Sequence, residues 1–277
     1  MRQWRLLVFA VGIGCSRLPL GSLDEGDASV AHDAPEPPLP GDASLAAYAR
    51  EGGGGRDDAD SSAPTWCDTR APVPVFCDDF DRGELGARWD FFLKSPPGTA
   101  TLDVARARSA PNALAVATRK VLAAEFGSIL LRKMVGGSPT RARLGFDLFA
   151  DATQPSGTLA VATLDLAADH LLTLYLRDDN ADGPGAALVE VPPGGAPSVR
   201  YVLPVTPAVA RWTRIDLDVD AAGGRATLRF DGATILDGVA LARAATDKPT
   251  LRVGVLTSGP ADTYQFGFDN VTLDVTP

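Results

Sequence analysis

From residue 73 onward apolar and polar side chains alternate, and that period constrains the fold more than any other feature of the chain. In "TRIDLDVD", Ile215, Leu217 and Val219 fall on one face and Arg214, Asp216, Asp218 and Asp220 on the other. "ATLRFDG" repeats the pattern with Ala226, Leu228 and Phe230. Successive strand residues point to opposite faces, so the alternation reads as strand rather than helix. "RARLGFDLFAD", "GTLAVATLDLA", "HLLTLYLR", "ALVEV" and "TLRVGVL" are further runs of strand length, several of them apolar on both faces. Turn signals such as "DDNADGPG", "PPGGAP", "AAGG" and "SGPAD" punctuate the runs. About 13 strands at this spacing, with no convincing amphipathic helix, predict an all-β sandwich or barrel. Apolar residues make up 45% of the 277, enough to fill such a core as a single domain.

The closing run "TYQFGFDNVTLDVTP" changes phase. Tyr264, Phe266 and Phe268 share one parity, and Val271, Leu273 and Val275 share the other. A slip of one residue would turn the apolar set outward, so a bulge at Asp269 and Asn270 is expected. Bulges re-aim side chains, which singles out Asp269. The sequon "NVT" lies inside this strand and is discounted as a glycosylation site.

The N-terminal part is of another kind. "MRQWRLLVFAVGIGC" sets two arginines before an apolar run over residues 6–13. About 12 Å of helix cannot cross a hydrocarbon core of about 30 Å, so an export signal fits and a spanning anchor does not. The small residues before Cys15 resemble the lipobox of bacterial lipoproteins, although Gly12 stands where that pattern has leucine. The resemblance implies a lipidated Cys15 as the mature N-terminus; ordinary signal cleavage nearby is the other reading. Residues 16–63, with "PEPPLP" and "GGGG", are too polar to offset their ordering entropy and read as a disordered acidic tether. The expected organisation is a signal over residues 1–15, the tether over 16–63 and a folded domain over 64–277. The protein would be exported and lipid-anchored in the cell envelope, in the periplasm or at the cell surface. Of the formal charge of −9, residues 16–62 hold −7 and residues 63–277 only −4. That balance argues against a nucleic-acid partner, which needs a basic footprint.

Export opens an oxidising compartment. With Cys15 assigned to lipid, Cys67 and Cys77 remain, separated by nine residues that include Pro72 and Pro74. A disulfide stapling the domain's leading edge to its first strand is expected. Two free thiols or a metal pair are the alternatives, but a metal site wants more partners than His32 and His170 supply.

Three stretches carry a family likeness. "FCDDFDRGELGARWD" resembles the first strand of the concanavalin A-like lectin/glucanase superfamily, the laminin-G-like jelly roll. "WTRIDLDVDAAGGRATLRFDGATILDG" resembles its tryptophan-led strand and the strand after it, and "LRVGVLTSGPADTYQFGFDNVTLDV" its closing pair. The resemblance implies a two-sheet antiparallel jelly-roll sandwich. It also implies a structural calcium between first and last strands, for which Asp79 and Asp269 would be ligands.

The function expected from these residues is non-catalytic. The glucanases of the superfamily carry E-x-D-x-x-E on one strand face, and retaining hydrolysis needs two carboxyls about 5–5.5 Å apart. Here Glu84, Glu125 and Glu190 are isolated, and Asp216, Asp218 and Asp220 read as a solvated sheet face. His170 has no evident nucleophile partner. Tyr175 and Arg177, opposite Leu172, Leu174 and Leu176, are the best candidates for a ligand-binding face. Asp178, Asn180, Asp182 and Gly183 match the D-x-N-x-D-G opening of a calcium loop, and a polar hairpin turn uses the same residue types. The expectation is therefore a lipid-anchored module recognising a carbohydrate or a surface protein. A polysaccharide-acting enzyme, hydrolase or lyase, and a purely structural envelope protein are the alternatives.

Overall fold

The alternating runs pair into two antiparallel sheets in the computed structural model, which describes residues 64–95, 98–118, 128–151, 158–178, 185–243, 246–258 and 263–277. Sheet A runs in the order β13 (Ala233–Ala240), β12 (Arg225–Phe230), β11 (Trp212–Asp220), β6 (Arg141–Ala150), β15 (Tyr264–Thr276), β4 (Ala113–Thr118) and β3 (Thr99–Asp103). The short β1 (Phe76–Asp78) also pairs with β15. Sheet B runs β10 (Val199–Val202), β9 (Gly185–Val191), β8 (His170–Asp178), β7 (Thr158–Ala167), β14 (Thr250–Ser258), β5 (Ser128–Met134) and β2 (Phe91–Lys94). This is the jelly-roll sandwich, with no α-helix among the described residues.

The core lies between the sheets, where one parity from each strand meets the other. Leu144, Phe146 and Leu148 of β6 face Leu164, Leu172 and Leu188 of sheet B, all essentially buried. Each such side chain contributes about 1.5–3 kcal/mol by leaving water. Phe146 and Phe268 pack at 6.1 Å between ring centroids, and Phe76 meets Trp89 edge-on at 4.9 Å. The strands that the pattern hides are the short or edge ones. β2 and β13 are largely exposed, so neither has an apolar stripe to declare it.

The phase change in β15 is a bulge. Its register against β6 jumps between Asp269 and Thr272, and Asn270 takes a left-handed φ of 53°. Asparagine tolerates that region better than most residues. Phe268 and Val271 thereby both remain in the core.

Cys67 and Cys77 form a disulfide, with Cα atoms 5.8 Å apart. The bridge ties the leading segment to β1, and Asp79 Oδ2 accepts the Cys67 N–H at 2.8 Å.

Candidate active site

The outer face of sheet A is partly covered by the protein's own chain. Asp218 pairs with Arg143 at 2.8 Å and with Arg141 at 3.6 Å, and Asp216 pairs with Arg214 at 3.2 Å. Asp216 and Asp218, read from the sequence as part of a solvated sheet face, are instead neutralised by arginines. Towards β15 the face is covered. The Arg214 guanidinium lies under the Trp66 ring at 5.6 Å and donates to the Asn270 carbonyl at 2.8 Å. Asn270 Nδ2 donates to Asp147 at 2.7 Å.

Asp269 sits beside them, fully buried. Its carboxylate accepts the backbone N–H groups of Arg108 and Ser109 at 2.9 Å and that of Asn270 at 2.7 Å. Burial outweighs these donors and, with Asp81 nearby, pushes its pKa up to about 7. Asp79 is equally buried, its Oδ2 held by Cys67 N–H. The carboxylates of Asp79 and Asp269 thus face backbone donors. Among the described residues no three His, Cys, Asp or Glu side chains converge as metal ligands. Asn180 and Asp182 lie outside the described residues, and of Asp178 only the backbone is described, opposite Gly185 at the end of β8.

Sheet B presents a different outer face. Strand register lines up one residue from each strand in an unbroken row: Phe91, Arg132, Arg252, Thr163, Thr173, Val189 and Arg200. Each lies at the parity opposite to core residues such as Leu131, Val253, Leu164, Leu172 and Leu188. Strands are about 4.8 Å apart, so Arg132 and Arg252 are next-door cations. Arg132 also stacks over the Phe91 ring at 5.2 Å, and its Nε is buried with no hydrogen-bond partner.

Asp165, one repeat along β7, holds Arg252 Nη2 at 2.5 Å through Oδ2, while its Oδ1 is buried with no partner. Burial pushes the Asp165 carboxyl up, against the pull of Arg252. Outward-facing Asp165 and Thr173 are only 8% and 9% exposed, so this face is partly enclosed by its own side chains.

Tyr175 extends the same parity of β8 by one repeat beyond Thr173 and is half-buried. The backbone of Arg177 pairs with Leu159, and its side chain is not among those described. Among the described residues Tyr175 is the only phenol or imidazole on this outer face. His170 points inward, where its Nε2 meets Glu190 Oε1 at 2.9 Å, both residues buried. Glu190 also accepts the Ala242 N–H at 2.7 Å and the Tyr201 hydroxyl at 3.4 Å, and Tyr201 donates to the Ala240 carbonyl. That cluster fastens the chain after β13 to sheet B and does not open onto the row.

Sequence reasoning passed over Arg132, Arg252, Arg200 and Asp165. Arg252, Arg200 and Asp165 are each a lone charge in an apolar run, Arg132 is followed by Lys133 at the opposite parity, and only strand register shows that the three arginines share a row. The available signal was the arginine inside "ILLRKM" and "TLRVGVL": a charge at the outward parity of a central strand needs an open face or a partner.

No protein-family model matches the chain, and no curated protein does. The fold is similar to that of an endo-β-1,4-glucuronan lyase from the fungus Trichoderma reesei, with a TM-score of 0.57 and 14% identity over 73% of this chain and 96% of that one. It is also similar to the cellulose-induced protein Cip1, with a TM-score of 0.52 and 15% identity over 73% of this chain and 97% of that one. Identity this low speaks for the fold alone, a two-sheet jelly-roll sandwich. The likeness to a polysaccharide lyase nevertheless corrects the expectation of a non-catalytic binding module. Missing paired carboxylates had argued against catalysis, but that test applies to glycoside hydrolysis. Elimination needs a cation for the substrate carboxylate and a proton carrier, and a search for paired glutamates passes over both.

Proposed function

We propose that the chain is a polysaccharide lyase, cleaving a uronate-containing glycan by β-elimination on the outer face of sheet B. The adjacent guanidiniums of Arg132 and Arg252, on a partly enclosed face with Tyr175, carry this reading. The glucuronan lyase likeness supports it.

In this reading the Arg252 and Arg132 forks bind the uronate carboxylate, because guanidinium geometry matches a carboxylate bidentately. They also stabilise the negative charge that spreads onto that carboxylate as the neighbouring ring proton leaves. Tyr175, as phenolate, takes the C5 proton. The C5–H electron pair forms the C4–C5 double bond, the C4–O bond breaks, and the proton passes to the departing glycosidic oxygen. One chain ends in an unsaturated uronate and the other in a new hydroxyl, so no water is consumed. We further infer that the signal and the lipid on Cys15 place the enzyme in the cell envelope, on the tether of residues 16–63.

The test is ultraviolet absorbance of unsaturated uronate during incubation with uronate polysaccharides. Tyr175→Phe is expected to lower kcat by about 100-fold or more, the usual contribution of a positioned acid–base group. An active wild type with an unimpaired Tyr175→Phe variant would remove Tyr175 from the mechanism. A wild type that releases sugars without unsaturated ends would replace lyase with hydrolase.

A further inference from the structure

Resting on that reading, we propose that the substrate is an acidic heteropolysaccharide whose uronates are spaced by neutral sugars, rather than a homopolyuronate. The row across sheet B is a charge template. On β5 and β14 it carries Arg132 and Arg252, and Asp165 cancels one of the two, leaving room for one substrate carboxylate. The next three positions, Thr163, Thr173 and Val189, are uncharged. Positive charge returns only at Arg200 on β10, four strand steps from Arg252 and so about 19 Å away.

A glycan lying across the strands advances by roughly one sugar per strand, because a pyranose unit and a strand step are of similar length. A homopolyuronate would then set carboxylates over Thr163, Thr173 and Val189, where no cation is in register. Half-buried carboxylates without partners are costly, whereas neutral sugars present hydroxyls that suit the threonines. The opposite end points the same way. Phe91 is 47% exposed, Leu93 38% and Met134 45%, and they share the outer parity with Leu130. Such a surface stacks against the C–H face of an uncharged pyranose. The near-neutral, slightly acidic domain also supplies no broad positive field for a densely charged polymer.

The experiment compares kcat/KM of the full chain on glucuronan and alginate, both homopolyuronates, with gellan, whose repeat sets one glucuronate among neutral sugars. Gellan is expected to be preferred by about tenfold or more, one unpaired carboxylate being worth at least that factor. Phe91→Ala is expected to raise KM for gellan about threefold to tenfold. Val189→Arg, at a half-exposed position, is expected to move the preference towards glucuronan. Preference for the homopolymers, or a Val189→Arg enzyme with unchanged ratios, overturns the spacing inference and leaves the lyase reading intact. Absence of unsaturated product from every polymer overturns both.

Discussion

The two sheets have similar strand patterns and opposite outer faces. On sheet A the outward arginines of β6 and β11 are ion-paired: Arg143 and Arg141 meet Asp218, and Arg214 meets Asp216. Another part of the face lies beneath the chain that leads into β1 and the segment around Ser109. On sheet B three arginines share one row, Asp165 binds Arg252, and Arg132 Nε and Asp165 Oδ1 keep unused hydrogen-bonding capacity. Over β6 and β11 sheet A is an electrostatically finished surface. Sheet B is unfinished, and a surface with capacity left over is where a charged ligand gains most.

The largest expected effect follows from that difference. Arg252→Ala should lower kcat/KM on the preferred uronan by about 100- to 1,000-fold, the scale for removing one preorganised charge-stabilising donor. Arg252→Lys should restore part of it, because an ammonium keeps the charge and loses the fork. Equal activity in wild type and Arg252→Ala would place the reaction elsewhere on the molecule.

Most of the fold was legible in the sequence, and most of the site was not, for a physical reason. Alternation is a local signal. "TRIDLDVD" declares its buried face without reference to any partner, and the phase change at Asp269 declares a bulge because the alternative turns phenylalanines to water. Cys67 and Cys77 were legible because so few cysteines remained once Cys15 was set aside. Edge strands β2 and β13 were not, since an exposed edge needs no apolar stripe. The arginine row depends on register between strands far apart in the chain, such as Arg132 against Arg252, and one sequence carries no direct record of that. Tyr175 was singled out by its parity alone, and it was weighed as a sugar-stacking ring rather than a proton carrier. The catalytic test set against the residues was the carboxylate pair of hydrolysis, although a lyase stood among the alternatives.

The covered part of sheet A should reveal itself through pH. The folded-state pKa of Asp269, about 7, lies above the ordinary aspartate value of 3.8. The folded protein therefore holds a proton that the unfolded chain releases. This contribution is complete below about pH 4 and disappears as pH rises towards 7, amounting to at most about 4 kcal/mol. Burial raises Asp78, Asp81, Asp147 and Asp165 in the same direction. Urea midpoints measured from pH 4 to pH 7 should fall in the wild type and fall less steeply in Asp269→Asn, which imitates the protonated form. A wild-type midpoint that rises over this window would show Asp269 to be stably charged beneath its backbone donors.

Two glycines test how rigid each face is. A Cβ on Gly254 of sheet B would lie 1.9 Å from the Ile129 carbonyl oxygen, and the residue sits at φ +132°. Backbone cannot easily yield, so Gly254→Ala should cost about 3 kcal/mol of stability. On sheet A a Cβ at Gly145 would lie 2.1 Å from Arg214 Nη2, the far end of a long side chain. Arg214 can swing away at the expense of its bond to the Asn270 carbonyl, so Gly145→Ala should cost about 1 kcal/mol. Thermal unfolding of the pair measures the difference, and equal losses would mean that Arg214 is as fixed as main chain.

The smallest effect is the one that tests whether sheet A is finished. The Arg143 side chain is 60% exposed, and its bond to Asp218 lies at the open rim of the face. Exposed pairs of this sort contribute about 0.2–1 kcal/mol, since solvent screens them and two side chains lose freedom. A double-mutant cycle with Arg143→Ala and Asp218→Ala should return a coupling energy in that range, smaller in high salt. Uronan cleavage should be unchanged in all three variants, because neither residue touches sheet B. If Arg143→Ala instead lowered kcat as Arg252→Ala does, charge on both faces would serve the reaction, and the contrast between a finished and an unfinished sheet would lose its functional meaning.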